Sequence, residues 1–457
     1  MTTAQGGPPA PHPAGAPVPS SRARLGDLMT YSAGSIGMGV WSTVPGLLLL
    51  YFLTHTLGVT SFLAGLVMLL PKVIDALVHP LLGTLSDREA RRSGHRLRML
   101  RWGLLLACAM VAMFSVPAGL TGPGAALWVG CWFVVGNTLF ACFQVPYLTT
   151  PSDLRVGYHE RTRVFMFRML FLTVGLLGAG VAAPALVASG ARADYSTMAL
   201  LLAGAMVISG LVSLAGVRKL TSRCGFRRPD GRAHSTLDDI KVAWRDRNFR
   251  ALVLSYLFTG TTTHLFLAAL PFYTLYVFGN SGLTAVFMGG FLAPAILAGP
   301  AWMMVSRRIG KQRGLLICQG IFIAGSMALL LGGMLGVAAT IAVVVALGIA
   351  FAGLQLFAFS MVPDAVAAAE AKGSARAGAY TGVWTATEAT GTAIGPYVYS
   401  AALAVGGFVS TTEGQAVAQT DSALTALLVG FTVIPAALMT VALSFQLRYA
   451  LDRTAGR

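Results

Sequence analysis

The stretch Pro71-Lys72-Val73-Ile74-Asp75-Ala76-Leu77-Val78-His79-Pro80 places three ionisable side chains inside an apolar run, Val59 to Leu85. A run of this length is typical of a membrane-spanning helix. Lys72, Asp75 and His79 are spaced i, i+3 and i+7, so a helix presents all three on one face. A charge at the centre of a bilayer costs about 2.5–3.5 kcal/mol on insertion scales, and such residues usually face a polar interior. The stretch therefore predicts a functional polar site, or alternatively a neutral Lys72–Asp75 pair that only fixes helix packing.

Composition assigns the rest of the chain to the membrane as well. Of its 457 residues, 55% are hydrophobic and 11% are charged, and the mean hydropathy is +0.71. Soluble globular proteins carry about 25% charged residues. The net charge of +16 does not indicate nucleic-acid binding, because the basic residues cluster in short segments between apolar runs. The five cysteines are scattered and indicate neither a disulfide framework nor a metal site.

Apolar runs long enough to span a membrane occur twelve times. We call them spans 1 to 12, and they occupy residues 28–54, 59–85, 99–120, 125–150, 164–188, 197–217, 249–279, 283–306, 314–335, 338–363, 377–404 and 422–447. They predict an all-α membrane protein with 12 transmembrane helices in two six-helix bundles, residues 25–217 and 249–448. We expect the remaining residues to form a disordered tail (1–24), a linker carrying an amphipathic surface helix (218–248) and a second tail (449–457).

The positions of the basic residues predict the orientation. Arg and Lys are concentrated in both termini, the central linker and the connections after the even-numbered spans, whereas Arg192 lies on the opposite side. Basic segments stay on the cytoplasmic side of a membrane. We therefore expect a multi-pass protein of the cell (inner) membrane with both termini in the cytoplasm.

The two halves repeat each other. Gly83 near the end of span 2 and Gly299 in span 8 are 216 positions apart, and Arg161 and Arg376 are 215 apart. Such six-plus-six repeats are typical of transporters that bind their substrate between the halves. Glycine runs inside the spans, such as Gly34-x-x-Gly37-x-Gly39 and Gly175-x-x-Gly178-x-Gly180, predict close helix packing rather than a nucleotide-binding loop.

Several motifs together resemble one transporter family. Gly83-Thr-Leu-Ser-Asp87-Arg88-Glu-Ala-Arg-Arg92-Ser-Gly94-His-Arg96 resembles the loop 2–3 signature of the major facilitator superfamily, in the longer variant of the glycoside–pentoside–hexuronide:cation symporters. Further agreement comes from the motifs Lys72-x-x-Asp75-Ala76-x-x-His79-Pro80-x-x-Gly83, Pro146-Tyr147, Glu160-Arg161-Thr162 and Arg308-x-Gly310-Lys311. The resemblance implies the major facilitator fold and cation-coupled transport.

Charges at the cytoplasmic face predict a latch. An acid embedded among bases can cap helix ends and pair across to a neighbouring helix, and alternating access would break and remake such contacts. Plain topogenic charge is the alternative. The predicted latch consists of Gly83, Asp87, Arg88, Arg92, Gly94, Arg96, Glu160, Arg161, Arg308, Gly310 and Lys311.

Departures from the family pattern shape the expected chemistry. The resemblance implies a second carboxylate where His79 stands, and a carboxylate pair suits sodium, which prefers oxygen ligands. An imidazole titrates near physiological pH, so Asp75 with His79 favours H+ over Na+ as the coupling ion, or no coupling if Lys72 neutralises Asp75. Glu388 is the other acid deep in a span, and it completes the predicted coupling set of Asp75, His79, Lys72 and Glu388.

The family's saccharide-binding aspartates align near Gly39 and Gln144, and its helix 11 lysine aligns with Glu388, so a classical sugar site is not expected. Polar and aromatic residues left in the spans form the predicted substrate cavity: Gln144, Tyr147, Asn137, His264, Gln355, Trp384 and Tyr31. A histidine such as His264 more often bonds to backbone, and Tyr31 and Trp384 are equally suited to packing.

Taken together, the sequence predicts a secondary active transporter of a small solute, sugar-like or amphiphilic. A carrier of lysophospholipid-like amphiphiles and an exporter of a metabolite or drug are the alternatives. A membrane sensor or intramembrane enzyme is disfavoured, since HExxH, GxSxG and Walker A motifs are absent from the sequence. We expect a monomer in the lipid bilayer without nucleic acid, metal or cofactor other than the coupling ion.

Overall fold

The computed structural model describes residues 23–226, 241, 244–370, 377–413, 415 and 417–450. The predicted tails and the amphipathic helix of the linker fall almost entirely outside these residues. The described chain is helical throughout its long elements, with two isolated β-bridges in its connections. The predicted all-α class is therefore confirmed.

Each predicted span coincides with a helical region, and we number these regions α1 to α12. The first half contains α1 (Leu25–Ser32, Gly34–Val44, Pro45–Leu49 and Phe52–Thr56), α2 (Ser61–Ser93), α3 (Leu97–Gly103 and Leu106–Phe114), α4 (Gly122–Asp153), α5 (Tyr158–Leu186) and α6 (Arg192–Cys224). The second half contains α7 (Arg247–Phe278), α8 (Leu283–Ile309), α9 (Lys311–Ala328), α10 (Gly332–Glu370), α11 (Ala377–Val405) and α12 (Asp421–Phe431 and Val433–Gln446).

Length and composition support a membrane location for these helices. Within the described residues, eight helical stretches are long and apolar enough to cross a membrane, and one of them, Lys311–Ala368, covers both α9 and α10. Gly336, with φ of +79°, interrupts the helical backbone near the start of α10. The other three predicted spans correspond to α1, α2 and α11.

Glycine brings α1 and α5 into backbone contact. A Cβ on Gly39 would lie 2.7 Å from the Leu176 amide nitrogen, and a Cβ on Gly175 would lie 2.5 Å from the Ile36 carbonyl oxygen. These separations leave no room for any side chain. The prediction of close helix packing is thus confirmed for this pair, whereas a Cβ on Gly178 would meet no atom within 4 Å.

The two halves are joined at the face opposite the termini, which we call the sealed face. Between α11 and α12, the amides of Thr411 and Glu413 donate to the carbonyls of Thr54 and Thr56 over 2.9 and 3.2 Å. Leu57 and Thr412 form an antiparallel bridge next to these bonds. Backbone pairing of this kind holds the two bundles in register independently of side-chain identity.

Side chains complete the sealed face. Ser400 Oγ on α11 donates to the carbonyl of Ser61 on α2, and Ser281 Oγ donates to the Ala188 carbonyl over 2.6 Å. Among bonds between described residues, every one that crosses between the halves lies near this face. The described structure is therefore closed at the sealed face and unlinked at the face that carries the termini.

The glycine contact between α1 and α5 generates a stability prediction. Gly175→Ala should lower the thermal unfolding midpoint of the detergent-purified protein, because overpacking a tight contact costs about 1–3 kcal/mol. Gly178→Ala, three residues along the same helix, is the matched control and should leave the midpoint unchanged or raise it, since alanine favours a helix more than glycine does. Equal midpoints for the two variants would contradict the packing described for Gly175.

Candidate functional site

Asp75 and His79 form the polar centre of α2. The Asp75 residue is 8% exposed, and its Oδ1 lies 3.0 Å from His79 Nδ1. His79 Nδ1 also lies 3.1 Å from the Asp75 carbonyl oxygen, as the i, i+4 spacing in a helix allows. The other ring nitrogen, Nε2, lies 3.3 Å from Gln144 Oε1 on α4. The imidazole therefore bridges a buried carboxylate and an amide on the neighbouring helix.

This arrangement accommodates both protonation states of His79. With Gln144 presenting its oxygen, both ring nitrogens face acceptors, and an imidazolium donates to both sides. Rotating the Gln144 amide presents an NH₂ donor to Nε2, which suits the neutral ring. The site can thus take up or release a proton with a side-chain rotation instead of a rearrangement of helices.

Lys72 is engaged with α4 and not with Asp75. Its ammonium donates to Asn137 Oδ1 over 3.3 Å and lies 5.7 Å from the centre of the Phe133 ring. Asn137 Oδ1 also accepts from Trp41 Nε1 on α1 over 3.4 Å. Among the described ion pairs, the partner of Asp75 is His79. The alternative of a closed Lys72–Asp75 pair is thus absent from this conformation.

Two of the predicted cavity residues of the second half, Trp384 and Gln355, contact Tyr256 of α7. The Tyr256 ring stacks on Trp384 of α11 with centroids 4.1 Å apart, and its hydroxyl donates to Gln355 Oε1 on α10 over 3.5 Å. Glu388 lies one helical turn after Trp384 and is half-buried.

His264, also on α7, bonds through Nδ1 to the Gly260 carbonyl over 2.8 Å. This backbone bond matches the alternative expected for a lone intramembrane histidine.

Tyr31 and Tyr147 pair with each other. Each hydroxyl donates to the other residue's carbonyl, over 2.8 and 3.1 Å, and the rings stack 4.7 Å apart. Both side chains are completely buried. In this conformation the two tyrosines join α1 to α4. Their side chains contact other protein atoms and do not line an open cavity.

Arg96 is the centre of the predicted latch. Its Nε donates to Asp153 Oδ2 at the end of α4 over 2.7 Å, and its Nη1 donates to Asp87 over 2.7 Å and Ser86 over 2.8 Å. Burial alone would lower the pKa of Arg96, but the hydrogen bonds to Asp153 and Asp87 outweigh it and leave this pKa raised. The guanidinium stays charged and ties the end of α2 to the end of α4.

The second half contains a matching pair. Lys311 Nζ at the start of α9 donates to Asp364 Oδ2 near the end of α10 over 2.6 Å, and to the Ser360 carbonyl over 3.2 Å. Gly94 and Gly310 precede the paired bases, and both adopt positive φ, +68° and +84°. They are 216 positions apart, the same offset as between Gly83 and Gly299.

The other predicted latch residues are less engaged. Glu160 accepts from the Ala23 amide over 3.1 Å and from Arg163 over 3.2 Å. A Cβ on Gly83 would meet no atom within 4 Å. The exposed arginines bond to no side chain within the described residues; they are Arg88, Arg92, Arg161 and Arg308.

Sequence reasoning missed the acids that complete both pairs. Asp153 and Asp364 lie at the ends of α4 and α10, at the face that carries the termini, and just beyond the predicted bounds of spans 4 and 10. Their shared feature is a nearby proline, in Pro151-Ser152-Asp153 and Pro363-Asp364. Tyr256 was also missed, because a single tyrosine in an apolar helix gives no signal before its neighbours are known.

The Arg96 network predicts a loss of stability in a single variant. Arg96→Ala leaves the largely buried Asp153 carboxylate without its counter-charge, a change that costs about 3–5 kcal/mol in buried pairs. The thermal midpoint of the purified protein should fall strongly, whereas Arg92→Ala, which removes an exposed arginine of the same motif, should not change it. A drop of equal size in both variants would indicate a nonspecific effect of lost positive charge.

Comparisons with known proteins identify the family of this chain. A family model described as MFS/sugar transport protein matches residues 30–453. An uncharacterized symporter of Synechocystis, sll1374, is 31% identical over 149 residues, and the putative glycoside/cation symporter YagG of Escherichia coli is 27% identical over 161 residues. These matches cover 31% and 35% of the chain, and 27% and 35% of the two relatives.

Solved structures share the fold. The crystal structure of the nucleoside transporter NupG superposes with a TM-score of 0.62 at 15% identity, covering 93% of this chain and 99% of that one. At this identity the likeness concerns the fold alone. The resemblance inferred from the motifs and the major facilitator fold are both confirmed. The chain belongs to the MFS/sugar transport protein family.

Proposed function

We propose that this protein moves a small hydroxylated solute across the cytoplasmic membrane in a proton-coupled alternating-access cycle. The observation that carries the proposal is the Asp75–His79 pair, buried on α2 with the imidazole bridging to Gln144 of α4. A buried carboxylate with a titratable partner is a typical proton-binding site of membrane transporters.

The chemistry of the pair favours a proton over sodium. Sodium prefers several oxygen ligands, and His79 replaces an oxygen donor with a ring nitrogen. Lys72 lies one turn before Asp75 on α2 and adds positive charge close by, which disfavours a second cation. A proton needs one acceptor only, and the Asp75–His79–Gln144 chain supplies it.

Alternating access would use the pair as follows. A proton arriving at the pair reduces its net negative charge, so that desolvation during closure of the bundle costs less. Solute bound against Gln144 displaces or rotates that amide and thereby changes the donor or acceptor facing His79 Nε2. Solute and proton are coupled because both act on one hydrogen bond, that between His79 and Gln144.

Features at the two faces support the rest of the cycle. The sealed face must open for solute to exchange there, and its crossing bonds are few and mostly involve backbone. The paired bases Arg96 and Lys311 hold the opposite ends of each bundle as rigid units. The excess of basic residues at the face with the termini supports a cytoplasmic location for that face, in the inner membrane.

The amides Gln144 and Gln355 support a hydroxylated solute, since each supplies a donor and an acceptor to a sugar-like hydroxyl. The name of the relative YagG, a putative glycoside/cation symporter, points to the same class for that protein. A lysophospholipid-like amphiphile is the contrasting class, and the response of the protein to each class separates the two.

Coupling can be tested in proteoliposomes that contain a pH-sensitive dye. Adding melibiose, glucuronate or glucose to the wild-type protein should drive a pH change inside the vesicles without sodium. Asp75→Asn should abolish that change, because the amide cannot accept the proton. His79→Ala should shift its pH profile, because the group that titrates near neutral pH is lost.

The exposed carboxylate variant Asp421→Asn, at the start of α12, is the control and should behave as wild type. Equal amounts of folded protein in each membrane are checked by size-exclusion chromatography. A strict need for sodium, or undiminished coupling in Asp75→Asn, would refute the proton mechanism. A response to lysophosphatidylcholine and to none of the saccharides would move the substrate class to amphiphiles.

A further inference from the structure

We propose that Glu388, Trp384 and Tyr256 form a subsite for an organic cation, so that the protein binds a hydroxylated solute with an ammonium group more tightly than its uncharged analogue. This inference rests on the proposed transport function and names a chemical feature of its substrate. The subsite lies in the second bundle, between α7, α10 and α11, apart from the Asp75–His79 pair on α2.

The carboxylate of Glu388 is unpaired within the part of the chain that the structure describes. It forms no ion pair and accepts no hydrogen bond there, although the Glu388 carbonyl accepts from Thr392. Asp75, the other acid deep in a span, has His79 at 3.0 Å. A carboxylate inside a membrane protein is costly unless a counter-charge reaches it. Because Glu388 is half-buried, one side of it remains accessible to a ligand.

An aromatic surface lies beside that carboxylate. Trp384 precedes Glu388 by one helical turn, so the two side chains share a face of α11. Tyr256 stacks on Trp384 at 4.1 Å and lies close enough to Glu388 for their charges to interact. Phe359 of α10 contacts both rings, at 5.8 and 5.5 Å, and is 43% exposed. Aromatic rings next to a carboxylate attract an ammonium group through their negative faces.

Trp384 also supplies an unused donor. It is 4% exposed, and its Nε1 has no acceptor among the described residues. A buried donor left unpaired costs about 1–3 kcal/mol. Gln355 Oε1 is held by Tyr256, which leaves the amide NH₂ of Gln355 as a further donor. A solute with an ammonium group for Glu388 and an oxygen acceptor for these donors satisfies all three groups.

The sign of the charge distinguishes this subsite from the rest of the predicted cavity. On the first-bundle side, Lys72 is the basic residue bonded to Asn137. On the second-bundle side, the unpaired charge among the described cavity residues is the carboxylate of Glu388. The second bundle therefore selects the positive end of a solute, and a neutral sugar leaves Glu388 unpaired.

The test measures equilibrium binding to the full-length protein in detergent, without any ion gradient. Each amine is compared with an uncharged analogue of similar shape: choline with neohexanol, ethanolamine with ethylene glycol, and glucosamine with glucose. At least one amine should raise the thermal midpoint and bind by calorimetry, while its analogue does so about tenfold more weakly or not at all. Glu388→Gln keeps the shape of the side chain and should abolish that preference.

Three variants make the result specific. Trp384→Phe keeps an aromatic ring and should retain preference for the amine, whereas Trp384→Leu should weaken amine binding. Asp421→Asn removes an exposed carboxylate and should bind the amine as wild type does. Amine binding that survives unchanged in Glu388→Gln, equal binding of an amine and its analogue, or no amine binding to the wild type would each overturn the inference.

The outcome is independent of the proton mechanism. Asp75→Asn should still bind the amine, since its carboxylate lies in the other bundle. Loss of proton coupling in Asp75→Asn together with absent amine binding would refute the cation subsite and leave the transport proposal standing. If Glu388→Gln loses amine binding while Asp75→Asn keeps full proton coupling, the cation subsite stands and the proton mechanism is refuted.

Discussion

A charge that enters the membrane interior must find a partner there, and this constraint organises the described structure. Asp75 lies within ion-pair distance of His79, and His79 lies within hydrogen-bond distance of Gln144 on α4. Lys72 is satisfied by Asn137 and the face of Phe133. Both sets of contacts join α2 to α4. Polar residues that would be unfavourable in an isolated apolar helix therefore position these two helices against each other.

The same constraint acts at the membrane boundary with a different result. Arg96 and Lys311 each tie the start of one helix to an acid at the end of the helix that follows it. Both follow a glycine in the left-handed region, which turns the chain tightly enough to present the base at the boundary. Because the two pairs are related by the internal repeat, each bundle is braced in the same way, and a rocking motion can leave both braces intact.

Contacts between the bundles are of another kind. The sealed face relies on backbone hydrogen bonds and small side chains, such as Thr411 to Thr54 and Ser400 to Ser61. Such bonds contribute about 0.5–1.5 kcal/mol each. Helix packing adds to them, since α2 packs against α11 and α5 packs against α8 across the two halves.

Much of this was determined by the sequence alone. Hydropathy and helical spacing are local properties of the chain. They predict the spans, the internal repeat and the face of α2 that carries Lys72, Asp75 and His79. Partner choice was decided by the tertiary structure. Lys72 pairs with Asn137 and not with Asp75, Arg96 pairs with Asp153, and Tyr31 meets Tyr147, because distances between helices depend on how glycine and aromatic side chains pack. The grouping of Glu388 with Trp384 and Tyr256 has the same origin, since Gly391 and Gly395 of α11 let its backbone approach that of α7 closely.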